Sequence, residues 1–289
     1  MVMKLDGIKL RDEMVARIRH EVDKNAKTKV CLATILVGED GPSQIYVRNK
    51  HRLAEAAGFI SKNMVLPITA TQIQLEDVIA ELANDSLVHG ILLQSPIPRE
   101  LDFEAAVALI PVEKDVDGLT VSSLGRLVRG LAGHVSCTPL GVLRILQHYG
   151  IATSGKKAVV IGRSTLVGLP MAILLQRKGI DATVTIAHSR TENLAGVCAE
   201  ADILIAATGM PHMVTADYVK PGAVVIDVGI SRLDEKIVGD VNFESVAQRA
   251  SAVTPMPGGT GPMTVACLIE NTWAGYKWQV MGKEPSTTQ

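Results

Sequence analysis

The sequence predicts an α/β fold in two domains, the second a doubly wound parallel sheet. Three observations carry this. Apolar runs of strand length alternate with stretches of helical spacing, the order that builds parallel sheets covered by helices. Residues 157–161 lead through Gly162 into a helix, a strand, glycine turn and helix in succession. The length of 289 residues suits two domains on the usual prior of about 150 each.

Taken in order, residues 7–22 read as a leading helix. Residues 30–37 are a β-rich run ending at Gly38, and 44–57 have helical spacing closed by Gly58. Residues 64–67 read as a short strand and 75–82 as a helix with Glu and Asp on its polar face. A strand of Ile and Leu at 89–94 is cut off by Pro96 and Pro98, and a helix follows at 103–110. Thr138-Pro139 reads as a helix start, with Thr as N-cap and Pro at the first helical position. That helix, 140–149, ends at Gly150 and links the domains. The second half runs strand 157–161, helix 168–178, strand 183–187, a helix near 192–199, then strands 202–206 and 223–228. This is a Rossmann-type nucleotide pattern. Residues 233–241 read as a hairpin turning at Asp234-Glu235, 263–280 as a long helix, and 282–289 as a polar, disordered tail.

Composition narrows the function classes. Hydrophobic residues are 47% and charged residues 20%, as in a globular protein, and the net charge of −1 gives no electrostatic case for nucleic acid or an anionic membrane. No apolar run reaches membrane-spanning length, and residues 1–14 lack the apolar core of a signal peptide. Cys31, Cys137, Cys198 and Cys267 are far apart, which excludes a metal knuckle or a CxxC redox motif. Buried thiols and a reducing compartment, the cytoplasm, are expected. Cys137 adjoins a functional loop but has no neighbouring base.

The glycine turn carries the first chemical signal. Free amide groups and the positive end of the helix dipole face it, which makes an anion site. Gly162 permits the sharp bend, and Gly168 lets the helix sit close to the sheet. Arg163 and Ser164 lie in the turn, and Ser189-Arg190 follow the next strand. A site for NAD places an acidic residue near the end of that second strand. A hydroxyl and a guanidinium there favour a 2′-phosphate, hence NADP.

Other groups lie elsewhere. Tyr46 and Lys50, four apart, share a helix face. A lysine in a dry pocket has a lowered pKa and works as acid or base near neutral pH. Gln94 is a lone amide at the C-terminal end of an apolar strand, where ligands of parallel sheets bind. Asp115 and Asp117 occupy alternate positions, which in an extended segment point the same way. No His stands nearby at ligand spacing, so no metal is expected there. The stretch 254–264 is rich in Gly and Pro and exposes backbone before the last helix. Residues 207–209 and 227–230 end strands where backbone contacts to a cofactor are natural. Read alone, each also fits a structural role: a lysine lying over a helix surface, a satisfied amide, an Asp-Gly turn, a plain loop.

Together the blocks resemble one family. Tyr-Val-Arg-Asn-Lys (46–50), the Gln94 strand, Lys-Asp-Val-Asp-Gly-Leu (114–119), Cys-Thr-Pro (137–139), Gly-Arg-Ser-x-x-Val-Gly-x-Pro (162–170), His-Ser-Arg-Thr (188–191) and Pro-Gly-Gly-x-Gly-Pro-Met-Thr (257–264) stand in one order across nearly the whole chain. That order is similar to the bifunctional methylenetetrahydrofolate dehydrogenase/methenyltetrahydrofolate cyclohydrolases, the FolD family. The resemblance implies NADP-dependent oxidation of 5,10-methylenetetrahydrofolate to the methenyl form, then hydrolysis to 10-formyltetrahydrofolate. It implies catalysis by Lys50, tuned by Gln94, with Tyr46 stacking on the aminobenzoyl ring and Asp117 on the pterin's amino edge. Gly259 and Pro262 would shape the folate side. Gly162, Arg163, Ser164, Gly168, Ser189, Arg190 and Ile230 would hold NADP.

By the same resemblance, 1–138 with helix 263–281 returning to it form the folate-binding catalytic domain. Residues 139–262 form the NADP domain, and the protein pairs as a homodimer through it. Ser95, Glu100, Ser136 and Thr260 depart from the family's common residues without removing a presumed catalytic group. Tyr-x-x-x-Lys is also the catalytic pair of short-chain dehydrogenases, but there it follows the nucleotide fold and here it precedes it. A dehydrogenase lacking the second activity, or a binder of folate or nucleotide without catalysis, are the alternatives. Lys50, Gln94 and Asp117 together argue against the binder.

Overall fold

The structure is a computed structural model that describes residues 2–38, 41–234 and 236–285, with backbone only for 41–46. The chain divides into two compact units, one of Met1–Arg11 and Thr138–Thr264, the other of Asp12–Cys137 and Val265–Gln289. The elements open with β1 (Met3–Lys4) and α1 (Gly7–Asn25).

The second of these units holds β2 (Cys31–Val37), α2 (Gly41–Ala56), β3 (Ile60–Leu66), α3 (Gln72–Asn84), β4 (Gly90–Leu93), α4 (Phe103–Val107) and α5 (Val121–Arg129). Its sheet is parallel, in the order β3-β2-β4. The central strand β2 is buried along its whole length, which is why it reads as a continuous apolar run. Ile35 and Ile91 meet Leu75, Ile79 and Leu82 of α3 in the core. The start of α3 is fixed by a capping box of Thr71 and Gln74, two polar residues ahead of the apolar period.

The other unit holds α6 (Cys137–His148), β5 (Lys157–Ile161), α7 (Gly168–Gln176), β6 (Thr183–Ala187), α8 (Leu194–Cys198), β7 (Ile203–Ala206), β8 (Val224–Asp227), β9 (Ser231–Leu233), β10 (Lys236–Val238), α9 (Phe243–Val246) and β11 (Ala252–Val253). Six parallel strands run β1-β11-β8-β7-β5-β6. The strand order therefore reverses between β5 and β7, the switch point where doubly wound sheets open a ligand crevice. The last helix, α10 (Thr260–Met281), passes from one unit into the other. From Val265 on it belongs with the three-stranded sheet. There the Tyr276 hydroxyl accepts the Lys27 N–H at 2.7 Å, and Trp273 Nε1 donates to Glu21 at 2.8 Å.

Several expectations need correction. Thr138 lies inside α6 and is not its N-cap; its hydroxyl meets that of Thr264 at 3.1 Å. Residues 1–11 go with the six-stranded sheet, because β1 pairs with β11 over two residues, too few to show a period. The helix expected at 103–110 stops at Val107, and the strand expected at 64–67 starts at Ile60. The hairpin is β9 against β10, earlier than 233–241; Glu235 at its turn lies outside the described residues. The tail is held as far as Pro285, whose carbonyl accepts the Gly133 N–H at 3.1 Å; 286–289 lie outside the described residues.

Candidate active site

In the three-stranded unit, parallel strands put their C-terminal ends on one edge, and the candidate residues gather there. Lys50 comes from α2, Gln94 directly follows β4, and Asp117 sits in the turn beyond the bridge between Ile91 and Asp115. Lys50 Nζ donates to Gln94 Oε1 at 2.9 Å. Gln94 Nε2 donates to the Ser95 carbonyl at 2.6 Å, which fixes the amide so that its oxygen faces the lysine. Burial pushes the Lys50 pKa below the usual lysine value, against the opposing pull of Asp117 and Cys137. Burial likewise raises the Asp117 carboxyl, while Lys50 and a hydrogen bond from Cys137 pull it back down.

Asp115 and Asp117 do not point the same way. The segment turns over 115–118, where the Gly118 N–H donates to the Asp115 carbonyl at 3.0 Å, instead of staying extended. Asp115 is spent on its own loop, accepting the Leu119 and Thr120 N–H groups at 3.1 and 2.9 Å. Cys137, expected to have no base beside it, stands with Asp117 and Lys50. Its thiol is held well above its ordinary pKa, by burial first and the Asp117 charge second, so it is an uncharged neighbour and not a nucleophile. Asn271 of α10 was not anticipated either. Its Nδ2 donates to the Val116 and Val135 carbonyls at 2.8 and 2.9 Å, tying together the two loops that carry Asp117 and Cys137. The Tyr46 side chain lies outside the described residues.

The six-stranded unit holds the other candidates. At Gly162, φ is +132° and a Cβ would stand 2.3 Å from the Ala207 carbonyl oxygen; at Gly168 it would stand 2.2 Å from the Gly162 oxygen. Only glycine fits either place, so strand, turn and helix close tightly at the switch point. Arg163 and Ser164 are exposed in the turn. The Ser164 hydroxyl accepts the Val167 and Gly168 N–H groups at 3.2 and 3.4 Å, so it also caps the start of α7. Ser189 and Arg190 are exposed after β6, in a turn closed by Thr191 on His188. Ile230 is exposed after β8, Gly259 is buried, and Pro262 lies in the first turn of α10.

The cradle suits a nicotinamide dinucleotide. Glycines at the turn admit a phosphate close to the backbone, and Arg163 and Arg190 are exposed on the turns that follow β5 and β6. Fold and site thus define a two-unit α/β enzyme, one unit with a dinucleotide-binding type of sheet and the other with a buried cluster of Lys50, Gln94 and Asp117.

Comparison with known proteins is specific. A profile for the tetrahydrofolate dehydrogenase/cyclohydrolase NAD(P)-binding domain matches residues 136–280, and one for the catalytic domain matches 5–117. The bifunctional protein FolD of Moorella thermoacetica is 49% identical over 93% of this chain and 96% of its own. The crystal structure of the bifunctional enzyme FolD from Campylobacter jejuni superposes with a TM-score of 0.93 at 41% identity, covering 96% of this chain and 99% of that one. The FolD of Trypanosoma brucei, solved with NADP cofactor and inhibitor, gives a TM-score of 0.90 at 36% identity, over 96% and 98% of the two chains. The chain belongs to the tetrahydrofolate dehydrogenase/cyclohydrolase family, FolD. It is a bifunctional, NADP-dependent enzyme of one-carbon metabolism acting on folate substrates. Among the described residues no helix is long and apolar enough to cross a membrane.

Proposed function

We propose that the pocket of Lys50, Gln94 and Asp117 runs both steps: oxidation of 5,10-methylenetetrahydrofolate and hydrolysis of the methenyl product to 10-formyltetrahydrofolate. The observation that carries this is the Lys50–Gln94 hydrogen bond in a buried setting beside Asp117. NADP, when bound, accepts the hydride. That step needs no strong base in the protein, because the folate nitrogens support the developing cation; it needs two ligands held in register.

Hydrolysis needs a proton moved. Burial shifts Lys50 toward its neutral form, and in that form its N–H toward Gln94 leaves the lone pair free to take a proton from water. Asp117 accepts from the pterin's amino edge, and Tyr46 stacks on the aminobenzoyl ring. Gly259 and Pro262 shape the folate side. Gly162, Gly168, Arg163, Ser164, Ser189, Arg190 and Ile230 hold NADP. The protein works in the cytoplasm as a homodimer through the nucleotide domain, a reading supported by the exposed edge strand β6, where Ile186 is 40% exposed.

An absorbance assay tests this. The purified protein should reduce NADP⁺ with methylenetetrahydrofolate and accelerate the decay of methenyltetrahydrofolate. Lys50→Met should abolish the second reaction while NADPH still binds. An unchanged rate of methenyl hydrolysis in that variant would sink the role given to Lys50.

A further inference from the structure

Asp240 is fully buried in the six-stranded unit, just beyond β10. Its Oδ2 accepts two successive backbone N–H groups, from Thr208 at 2.5 Å and Gly209 at 3.0 Å. Its Oδ1 is buried with no hydrogen-bond partner among the described residues. A buried polar oxygen without a partner is costly, and the same side chain spends its other oxygen on two backbone amides.

The chain is shaped around it. A Cβ on Gly229 would stand 2.1 Å from Asp240 Oδ1, and one on Gly239 would stand 1.9 Å from Asp227 Oδ2. Asp227 in turn accepts the N–H groups of Gly229, Asp240 and Val241 at 3.0, 3.0 and 3.1 Å. Two buried carboxylates therefore fasten the loops after β7, β8 and β10 to one another.

The consequence lies on the other side of the held peptides. A trans peptide sends its carbonyl opposite to its N–H. With the Thr208 N–H turned onto Asp240, the Ala207 oxygen points away from it and lies against Gly162, 2.3 Å from where a Cβ would be. That is the switch point between β5 and β7. We propose that Asp240 is a positioning residue of the NADP crevice: by consuming the Thr208 and Gly209 amides it makes the loop after β7 present carbonyl acceptors, not N–H donors, to the cofactor. Acceptors suit ribose hydroxyls or the carboxamide and repel phosphate, which is left to the turn at Gly162–Gly168. The proposal rests on the functional reading above and adds a residue to it.

NADPH fluorescence titration without folate, on the full-length protein, tests it, with thermal melting as the check on folding. Asp240→Ala should weaken NADPH and NADH alike by about tenfold, the equivalent of one net hydrogen bond of positioning. Asp240→Asn keeps an acceptor oxygen and should bind within about threefold of the parent. A folded Asp240→Ala protein that binds NADPH as tightly as the parent overturns the proposal, as does an Asn variant equally weakened. Hydrogen exchange on the parent protein decides independently of any variant. The Thr208 and Gly209 amides should be protected before NADP is added; free exchange that slows only with NADP would mean they are cofactor donors. A parent protein that binds no NADPH would instead refute the functional reading, and the exchange result would still judge the grip of Asp240.

Discussion

Lys50 and Gln94 form a donor–acceptor pair at 2.9 Å in which an amide, not a carboxylate, faces the ammonium group. A carboxylate in that position would stabilise the charge and keep the lysine protonated. An amide orients the nitrogen while leaving burial free to lower its pKa. The Ser95 carbonyl completes the arrangement by occupying the amide's own donor.

Gln94→Glu is therefore a directional test. An opposite charge within hydrogen-bond reach raises an amine's pKa by about 1–3 units. The acid limb of the methenyl hydrolysis profile should move to higher pH by about that amount, and the rate at pH 7 should drop about tenfold or more. A profile that stays in place, whatever its height, would mean that Lys50 does not titrate in this step.

The turn from β5 to α7 was legible because glycine, charge and helix start are adjacent in the chain. The Lys50 pocket was legible only in part. Cys137 stands in the Cys-Thr-Pro block, but its place beside Lys50 and Asp117 comes from folding alone, and no local pattern marks Asn271. For Asp115 and Asp117 the Asp-Gly turn holds and the shared direction of an extended segment does not, because the Gly118 N–H closes a turn onto the Asp115 carbonyl. The helix α5 escaped notice because it is only nine residues long and carries Gly125 and two serines, which are poor helix formers. Nothing in the local sequence marks Asp240, since the amides it holds lie far away along the chain.

The proposed site gives cofactor choice to Arg163 and Arg190, exposed on two turns at the ends of β5 and β6. A hydrogen bond to a charged group contributes about 1.5–3 kcal/mol. Replacing Arg190 by Ala should reduce the ratio of NADP⁺ to NAD⁺ specificity about tenfold to a hundredfold, with the KM for NAD⁺ changed less than about threefold. Steady-state KM values for both cofactors measure this. Equal weakening of the two would place Arg190 on a part of the dinucleotide they share.

Stability should carry a signature of His89. This residue is buried, its Nδ1 accepts the Cys31 N–H at 3.1 Å, and its ring packs edge-on against Tyr276 at 4.8 Å. Burial first, then the Lys114 charge, push its pKa down to about 4, against Asp85. In the unfolded chain the imidazole takes up its proton near pH 6.5, at about the ordinary value. The unfolded state thus binds more protons between those two values, and folding stability falls as pH drops from about 6.5 to 4, by up to about 3 kcal/mol for this group. His89→Asn keeps an acceptor for Cys31 and cannot titrate. Urea unfolding across that range should show a shallower acid slope for the variant, even though losing the ring contact lowers its stability at pH 7. Parallel slopes for the two proteins would show that the His89 proton uptake is the same folded and unfolded.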